Sequence, residues 1–487
     1  MPLDLLAVDR TSREPLHRQL YVAIRELIRA GRLSAGHGLP ATRSLADELG
    51  IGRNTVIAAY DQLLAEGYLE ARPGSGTRVA ALPRPAAPAA GAAGQPSPGR
   101  LSRRGALIAG LPQPASRPGK INMQPGSPEV AAFPTATWVR LLARNAQKRS
   151  LDALRYHQFA GHPRLRQAVA EYVGVARGVA CSAERVIVVT GAQAALDLAA
   201  RILLDDGDVA WLEEPGYLGA RTALLGGGAR LWPLRVGEQG WSLPGDDAPP
   251  PRLICVTPAC HWPTGITMRA EERLNLLALA ERHDAWIVED DYDGEYRFRG
   301  HPVPALQGLD GGRRTIYVGT FGKTLFSALR LGFLVVPDSL VDAFNGAVSV
   351  TGQFAPLLLQ LTVADFIAEG HFATHLKRMR RLYARRQAEF AALCREHLDP
   401  WIEVVERDSG MQLLARLRGP LDDRAVCEAA LARGVDIQPV SISYHRDAPT
   451  HGLLLGYAGL DSRQMGAAVR GLRAALKGLA DPEAPAA

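Results

Sequence analysis

The sequence predicts a two-part α/β protein: a small helical module closed by a β-hairpin and, beyond a linker, a large layered domain with a largely parallel sheet. Three observations predict it. Apolar residues recur at helical spacing from Leu16 to Leu64 and give way to two short β segments around Pro73-Gly74-Ser75-Gly76. A stretch rich in Pro, Ala and Gly follows, and beyond it apolar β runs alternate with helical patterns. At 487 residues with 47% hydrophobic side chains, the chain exceeds the usual size of one domain and can bury a sizeable core. The expected divisions are 11–80 for the module, 81–118 for a flexible basic linker and 119–487 for the large domain.

The formal net charge of +6 resembles a nucleic-acid signal until it is located. Residues 81–120 hold six Arg or Lys and no acid, whereas residues 1–80 hold ten Arg against nine acids. The excess therefore sits in the linker, which reads either as a solvated tether or as one whose arginines help it onto phosphates. No apolar run approaches the ~20 residues of a membrane helix, and MPLDLLAVDRTSREPL has no basic region leading into an apolar stretch, so a cytoplasmic protein is expected. Cys181, Cys255, Cys260, Cys394 and Cys427 form no CxxC pair and have no His partners at zinc spacing. They read as reduced thiols packed as small hydrophobes, with neither a metal site nor a disulfide expected.

In the module, PLHRQLYVAIRELIRAG places Leu16, Leu20, Ile24, Leu27 and Ile28 on one helical face, with Gly31 as the stop. A second helix is expected from Arg43 to Leu49, closed by Gly50. A third begins near Arg53 with Val56, Tyr60, Leu63 and Leu64 inward. Tyr68-Leu69-Glu70 and Thr77-Arg78-Val79 then read as the strands of a hairpin. Two helices joined by a short glycine turn and followed by a hairpin suit a winged helix-turn-helix. There the first residues of the reading helix face base edges, and here these are Arg53, Asn54 and Thr55, all hydrogen-bond donors. A trihelical interaction domain that binds no DNA would show the same periodicities.

The run LPATRSLADELGIGRNTVIAAYDQLLAEGYLEARPGSGTRV, Leu39 to Val79, resembles the GntR superfamily of bacterial winged-helix regulators. That resemblance implies double-stranded operator DNA as a partner. It places Arg43 on phosphate, Arg53, Asn54 and Thr55 in the major groove, and Gly76 where the wing approaches the minor groove. Ile57 stands where many members carry a further basic residue.

In the large domain, strand Val186 to Thr190 runs into Gly191-Ala192-Gln193 and a helix through Leu204. Small residues at such a turn let backbone N–H groups and the positive helix end face an anion. Strand Ala285 to Asp290 ends in two acids, Glu289 and Asp290, which are costly to bury unless a cation pairs with them. A protonated pyridine nitrogen would serve Asp290, and Tyr292, on the same side of an extended segment, could donate to an oxygen on the same ring. An acidic strand end that binds a metal or caps a helix has the same sequence. Lys323 is one of only five lysines among 56 basic residues, and it follows the apolar strand TIYVGTF in a glycine-bracketed turn. A lysine there loses its proton more easily and can attack an aldehyde, with Thr320 and Arg330 near enough in sequence to hold a phosphate.

These motifs, with INMQPGSPEVAAFP and RYHQFAGHPRLRQAVAEYV before them and EEPGYLG and TPACHWPTG between them, resemble fold-type I PLP-dependent aminotransferases. Together with the module they resemble the MocR-type transcriptional regulators, in which a GntR-type winged helix-turn-helix precedes an aminotransferase-like domain. The resemblance implies pyridoxal 5'-phosphate as cofactor, with Lys323 condensed to its aldehyde and serving as the catalytic residue. Tyr217 would stack on the ring and Asp290 and Tyr292 address it, while Gly191, Ala192, Gln193, Thr320 and Arg330 hold the phosphate. Tyr156 would reach the phosphate of a partner subunit, which implies a homodimer, with the module of one chain over the large domain of the other.

Three departures from the enzymes stand out. Trp262 replaces the Asn before Pro-Thr-Gly, Leu454 stands where many aminotransferases place an arginine for a substrate carboxylate, and Gly322 takes a place that is often Ser. The reading that follows is a DNA-binding regulator whose cofactor pocket senses an amine, an amino acid or pyridoxal phosphate itself. A working aminotransferase and a cofactor-free dimeric repressor are the alternatives.

Overall fold

The computed structural model describes residue 6 and residues 8–72, 76–82, 99–112, 117–148, 158–245, 247–301, 303–447 and 449–480. The chain divides into two units, Met1–Arg100 and Leu101–Ala487.

In the first unit, helices α1 (Leu16–Arg29), α2 (Thr42–Leu49) and α3 (Arg53–Ala65) precede strands β1 (Leu69–Arg72) and β2 (Gly76–Val79). Leu20, Ile24, Leu27 and Ile28 of α1 pack with Leu45 of α2 and with Val56, Tyr60 and Leu63 of α3 in one buried cluster, which Leu69 and Val79 of the hairpin close. Leu64, expected inward, is half-buried at the edge. Gly50 ends α2 at φ 59, a left-handed conformation that glycine adopts without strain. The hairpin pairs Leu69 with Val79 and Arg72 with Gly76; Pro73, Gly74 and Ser75 lie outside the described residues. A third segment joins it, since Leu39 N donates to Thr77 O at 2.8 Å and Val79 N to His37 O at 2.9 Å. Tyr60 Oη donates to Pro40 O at 3.1 Å, which fixes α3 to the chain leading into α2.

The second unit is built on an eight-stranded sheet in the order Val186–Val189, Gly332–Val335, Thr315–Thr320, Trp286–Asp291, Leu253–Val256, Val209–Glu214, Arg230–Gly237, Gly240–Ser242. The strands from Thr315–Thr320 to Arg230–Gly237 pair in parallel, as their apolar runs and intervening helices lead one to expect. Gly332–Val335 is antiparallel to both its neighbours, and Gly240–Ser242 is antiparallel at the edge. A second, antiparallel sheet of Ile402–Val405, Gln412–Leu417, Gly452–Gly456 and Gln438–Pro439 belongs to a core that also takes in helices His371–Leu398 and Ser462–Ala480.

Within the stretch read as a flexible linker, Arg103–Ala109 forms a helix. Ser102 Oγ accepts from Gly105 N at 2.9 Å and starts it. Ile108 reaches Gly226 of helix Leu218–Gly226, and Arg104 pairs with Asp206, so docking orders a segment whose composition promised none. Residues 83–98 and 113–116 lie outside the described residues. All five cysteines are free thiols, and no helix among the described residues is long and apolar enough to cross a membrane.

Candidate cofactor site and DNA-reading face

The parallel strands of the large sheet end on one edge, the place where open α/β sheets take ligands. Gly191, Glu214, Asp290, Asp291 and Thr320 lie at or just past those ends, and Tyr217 follows within one turn. The neighbouring acids of Trp286–Asp291 take different tasks because successive strand residues face opposite sides. Glu289 accepts from Leu306 N at 2.8 Å and Gln307 N at 2.9 Å, and so caps a short helix. Asp291 accepts from Arg177 Nε at 2.7 Å and Tyr317 Oη at 2.7 Å. Asp290 is 4% exposed, and its Oδ1 has no hydrogen-bond partner among the described residues. Burial, helped by the nearby charge of Asp291, pushes its carboxyl up to about 7, with Lys323 opposing. Helix capping, one reading of this strand end, thus falls on Glu289, and the adjacent Asp290 is left with an oxygen free to accept.

Lys323 lies in the single turn Phe321–Thr324, directly after strand Thr315–Thr320. Its Nζ donates to Gly126 O at 2.9 Å, and a Cβ on Gly126 would come within 2.3 Å of that nitrogen. Burial lowers the lysine's pKa, opposed by Asp293 and then Asp290. Gly126 and Asp293 were not singled out from the sequence; the only signals were the glycine in QPGSPE and the run of acids in EDDYDGE.

The expected phosphate residues come together except at one side chain. Gly191, at φ 102, precedes helix Ala192–Leu203, and the Arg330 guanidinium stands beside it, 3.8 Å from where a Cβ would sit. Ala192 occupies the first helical turn, whose N–H groups lack a side-chain cap. Thr320 Oγ1 accepts from Gly322 N at 3.1 Å and keeps its hydroxyl proton for another acceptor. The Gln193 side chain is spent elsewhere, Nε2 donating to Gly219 O at 2.9 Å, which leaves only its backbone for an anion. Gly332 makes this convergence possible, since a Cβ there would lie 2.9 Å from the Gly191 backbone and 3.0 Å from Gly319 O. Gly332→Ala is expected to cost about 1–3 kcal/mol of stability by overpacking, read as a lowered melting temperature.

The remaining wall is aromatic. Trp262 stands between the two tyrosines expected at the ring, edge-on to Tyr217 at 5.7 Å and to Tyr292 at 5.8 Å between ring centroids. Tyr292 Oη lies 3.7 Å from Cys260 Sγ. Leu454, fully buried on Gly452–Gly456, packs in the same cluster as Trp262, Tyr292, Cys260 and Val440. Two positions that depart from the enzymes therefore share one cluster. Tyr156 lies outside the described residues.

In the first unit, Arg53 and Asn54 are exposed on the first turn of α3, Thr55 is half-buried, and Gly52 leaves that turn without a side-chain cap. Arg43 is exposed on α2, and Gly76 opens β2 at φ 74. Ile57 is half-buried.

Residues 119–472 match the family model "Aminotransferase class I and II", and residues 16–79 match "Bacterial regulatory proteins, gntR family". The chain is 54% identical over 475 residues to the probable rhizopine catabolism regulatory protein MocR of Rhizobium meliloti, covering 98% of this chain and 96% of that one. It is 33% identical over 446 residues to the HTH-type transcriptional regulator TauR of Rhodobacter capsulatus, covering 87% and 88%. Among solved structures, the α-aminoadipate aminotransferase LysN of Thermus thermophilus, complexed with N-(5'-phosphopyridoxyl)-L-leucine, aligns with a TM-score of 0.69 at 28% identity, covering 75% of this chain and 94% of that one.

Proposed function

The chain belongs to the MocR-type transcriptional regulators, and from that premise we propose that its aminotransferase-like domain binds pyridoxal phosphate and senses an amine, an amino acid or the cofactor itself. GntR regulators bind DNA, so the first unit is the reader. The observation that carries the proposal is the buried, unpartnered Oδ1 of Asp290 on the strand edge that also presents a desolvated Lys323. A carboxylate so placed fits a protonated ring nitrogen, and an amine so placed fits an aldehyde.

When bound, pyridoxal phosphate supplies an aldehyde that condenses with amines and a ring that withdraws electrons from the neighbouring carbon. Lys323 would provide the amine, Asp290 hold the ring N–H, Tyr292 donate to the ring oxygen and Tyr217 cover one face. Backbone N–H groups of Gly191, Ala192 and Gln193, with Thr320 and Arg330, would hold the phosphate. Arg53, Asn54 and Thr55 would read bases while Arg43 and Gly76 address the backbone and the wing's groove. A homodimer would pair two readers and lend Tyr156 to the neighbouring cofactor. For sensing, the effector must bind two conformations with different affinity, since equal affinity shifts nothing.

Protein mixed with pyridoxal phosphate should gain a visible absorbance band that borohydride fixes as added mass on one lysine. Protein that neither absorbs nor retains the label contradicts the cofactor reading. On the DNA side, Arg53→Ala should cost about 1–3 kcal/mol and relax the sequence preference, whereas Arg43→Ala should weaken all sequences alike and lower the salt slope by about 1. Equal effects of the two in salt-dependent binding isotherms would contradict this division.

A further inference from the structure

The Trp262–Leu454 wall borders a carboxylate that the cofactor reading leaves unassigned. Asp293 is 1% exposed; its Oδ2 accepts from Met411 N at 3.1 Å, and its Oδ1 has no partner among the described residues. A Cβ on Gly410 would lie 3.5 Å from that Oδ2 and 3.7 Å from Cys260 Sγ, so the acid adjoins the cluster of Cys260, Trp262, Tyr292 and Leu454. The cluster members carry no cation. Of the guanidiniums near it, Arg221 donates through one terminal nitrogen to Tyr444 O at 3.2 Å and keeps a buried Nε without a partner among the described residues, and Arg407 Nε donates to Thr264 O at 3.0 Å. Arg330 stands apart at Gly191.

We propose that Asp293, set in this apolar wall, selects an amine carrying a hydroxyl or a second ammonium group in place of the carboxylate of an amino acid. The inference rests on the reading of this pocket as a cofactor site. Lys323 is the cation whose charge opposes the effect of burial on Asp293. Lys323 makes no hydrogen bond to it, its Nζ donating to Gly126 O, so Asp293 Oδ1 stays without a partner among the described residues, and a buried polar group left so is costly. A hydroxyl or ammonium donor from the effector satisfies Oδ1, whereas a carboxylate meets a like charge and the side chains of Leu454 and Trp262, which offer it no cation. Burial pushes the Asp293 carboxyl up to about 7, with Lys323 opposing, so the selection strengthens as the pH rises.

The test uses the full chain saturated with pyridoxal phosphate at pH 8, titrated with 2-amino-1,3-propanediol and with serine. These two differ by one hydroxymethyl against one carboxylate, and the readout is the concentration that half-shifts the cofactor absorbance, a binding measurement rather than turnover. The diol should act at a concentration at least about tenfold lower, a preference of ~1.4 kcal/mol. Asp293→Asn should remove most of that preference, and Leu454→Arg should turn it towards serine. Serine acting at the same or lower concentration in the wild type, or an unchanged ratio in Asp293→Asn, overturns the proposal. If Asp293→Asn does not fold, an unchanged ratio in Leu454→Arg overturns it instead. Failure of the wild type to take up pyridoxal phosphate at all would overturn the cofactor reading beneath it, an outcome distinct from a reversed preference.

Discussion

Asp290→Asn is expected to weaken pyridoxal phosphate binding by at least ~30-fold, because truncating one partner of a buried charged hydrogen bond costs about 2–5 kcal/mol. The pH dependence makes the expectation specific. Without the cofactor, burial holds the Asp290 carboxyl up at about 7 against an ordinary value of 3.8. Between these values the folded protein keeps a proton that the unfolded chain has released. Its contribution to stability therefore falls as pH rises through that window and is lowest above about 7. A ring N–H against Oδ1 favours the ionised carboxylate and removes the penalty. The rise in melting temperature on adding pyridoxal phosphate should consequently be larger at pH 8 than at pH 6. In Asp290→Asn the increment between the two pH values should vanish. An equal rise at both pH values in the wild type, or an increment retained by the variant, would show that Asp290 does not hold the ring.

Lys323→Ala should abolish covalent retention of the cofactor, leaving no borohydride-fixed mass and no label after gel filtration. The lysine suits the task because burial lowers its pKa and frees a larger share of neutral amine, although Asp293 and Asp290 limit the shift. The variant should still fold near pH 6, where Asp290 and Asp293, both pushed up to about 7, can take protons once their cation is gone. A folded variant that still retains the label would move the attachment to another lysine. An unfolded one at pH 6 would mean that Lys323 acts mainly as a buried counter-ion.

Much of this was legible because it is local. Helical spacing placed Val56, Tyr60 and Leu63 in the module core, and the same count placed Arg53 and Asn54 at the exposed start of α3. The strand-end positions of Gly191, Asp290 and Thr320 follow from apolar runs that stop at turns. What the sequence could not divide was the task of adjacent acids, because only the partner distinguishes them: Glu289 meets the start of a helix at Leu306, and Asp291 meets Arg177. The contacts that were missed bridge long separations, Gly126 to Lys323 and Asp293 to Met411. Helix Arg103–Ala109 was hidden for a similar reason, since its composition resembles a tether and its order depends on docking at Gly226 and Asp206. The strand-like segment from Gly36 to Leu39 has no apolar alternation and is specified by the hairpin it joins.

In the proposed function the pocket around Lys323 governs the reading of DNA. This is tested most directly by measuring the full-length protein's affinity and footprint on its operator with no cofactor, with pyridoxal phosphate, and with pyridoxal phosphate plus a panel of amines. The cofactor or one of the amines should change the affinity at least about fivefold, the lower end of ordinary coupling between sites, or change the footprint, and Lys323→Ala should lose that response while still binding DNA. Identical affinity and footprint under all these conditions would contradict it.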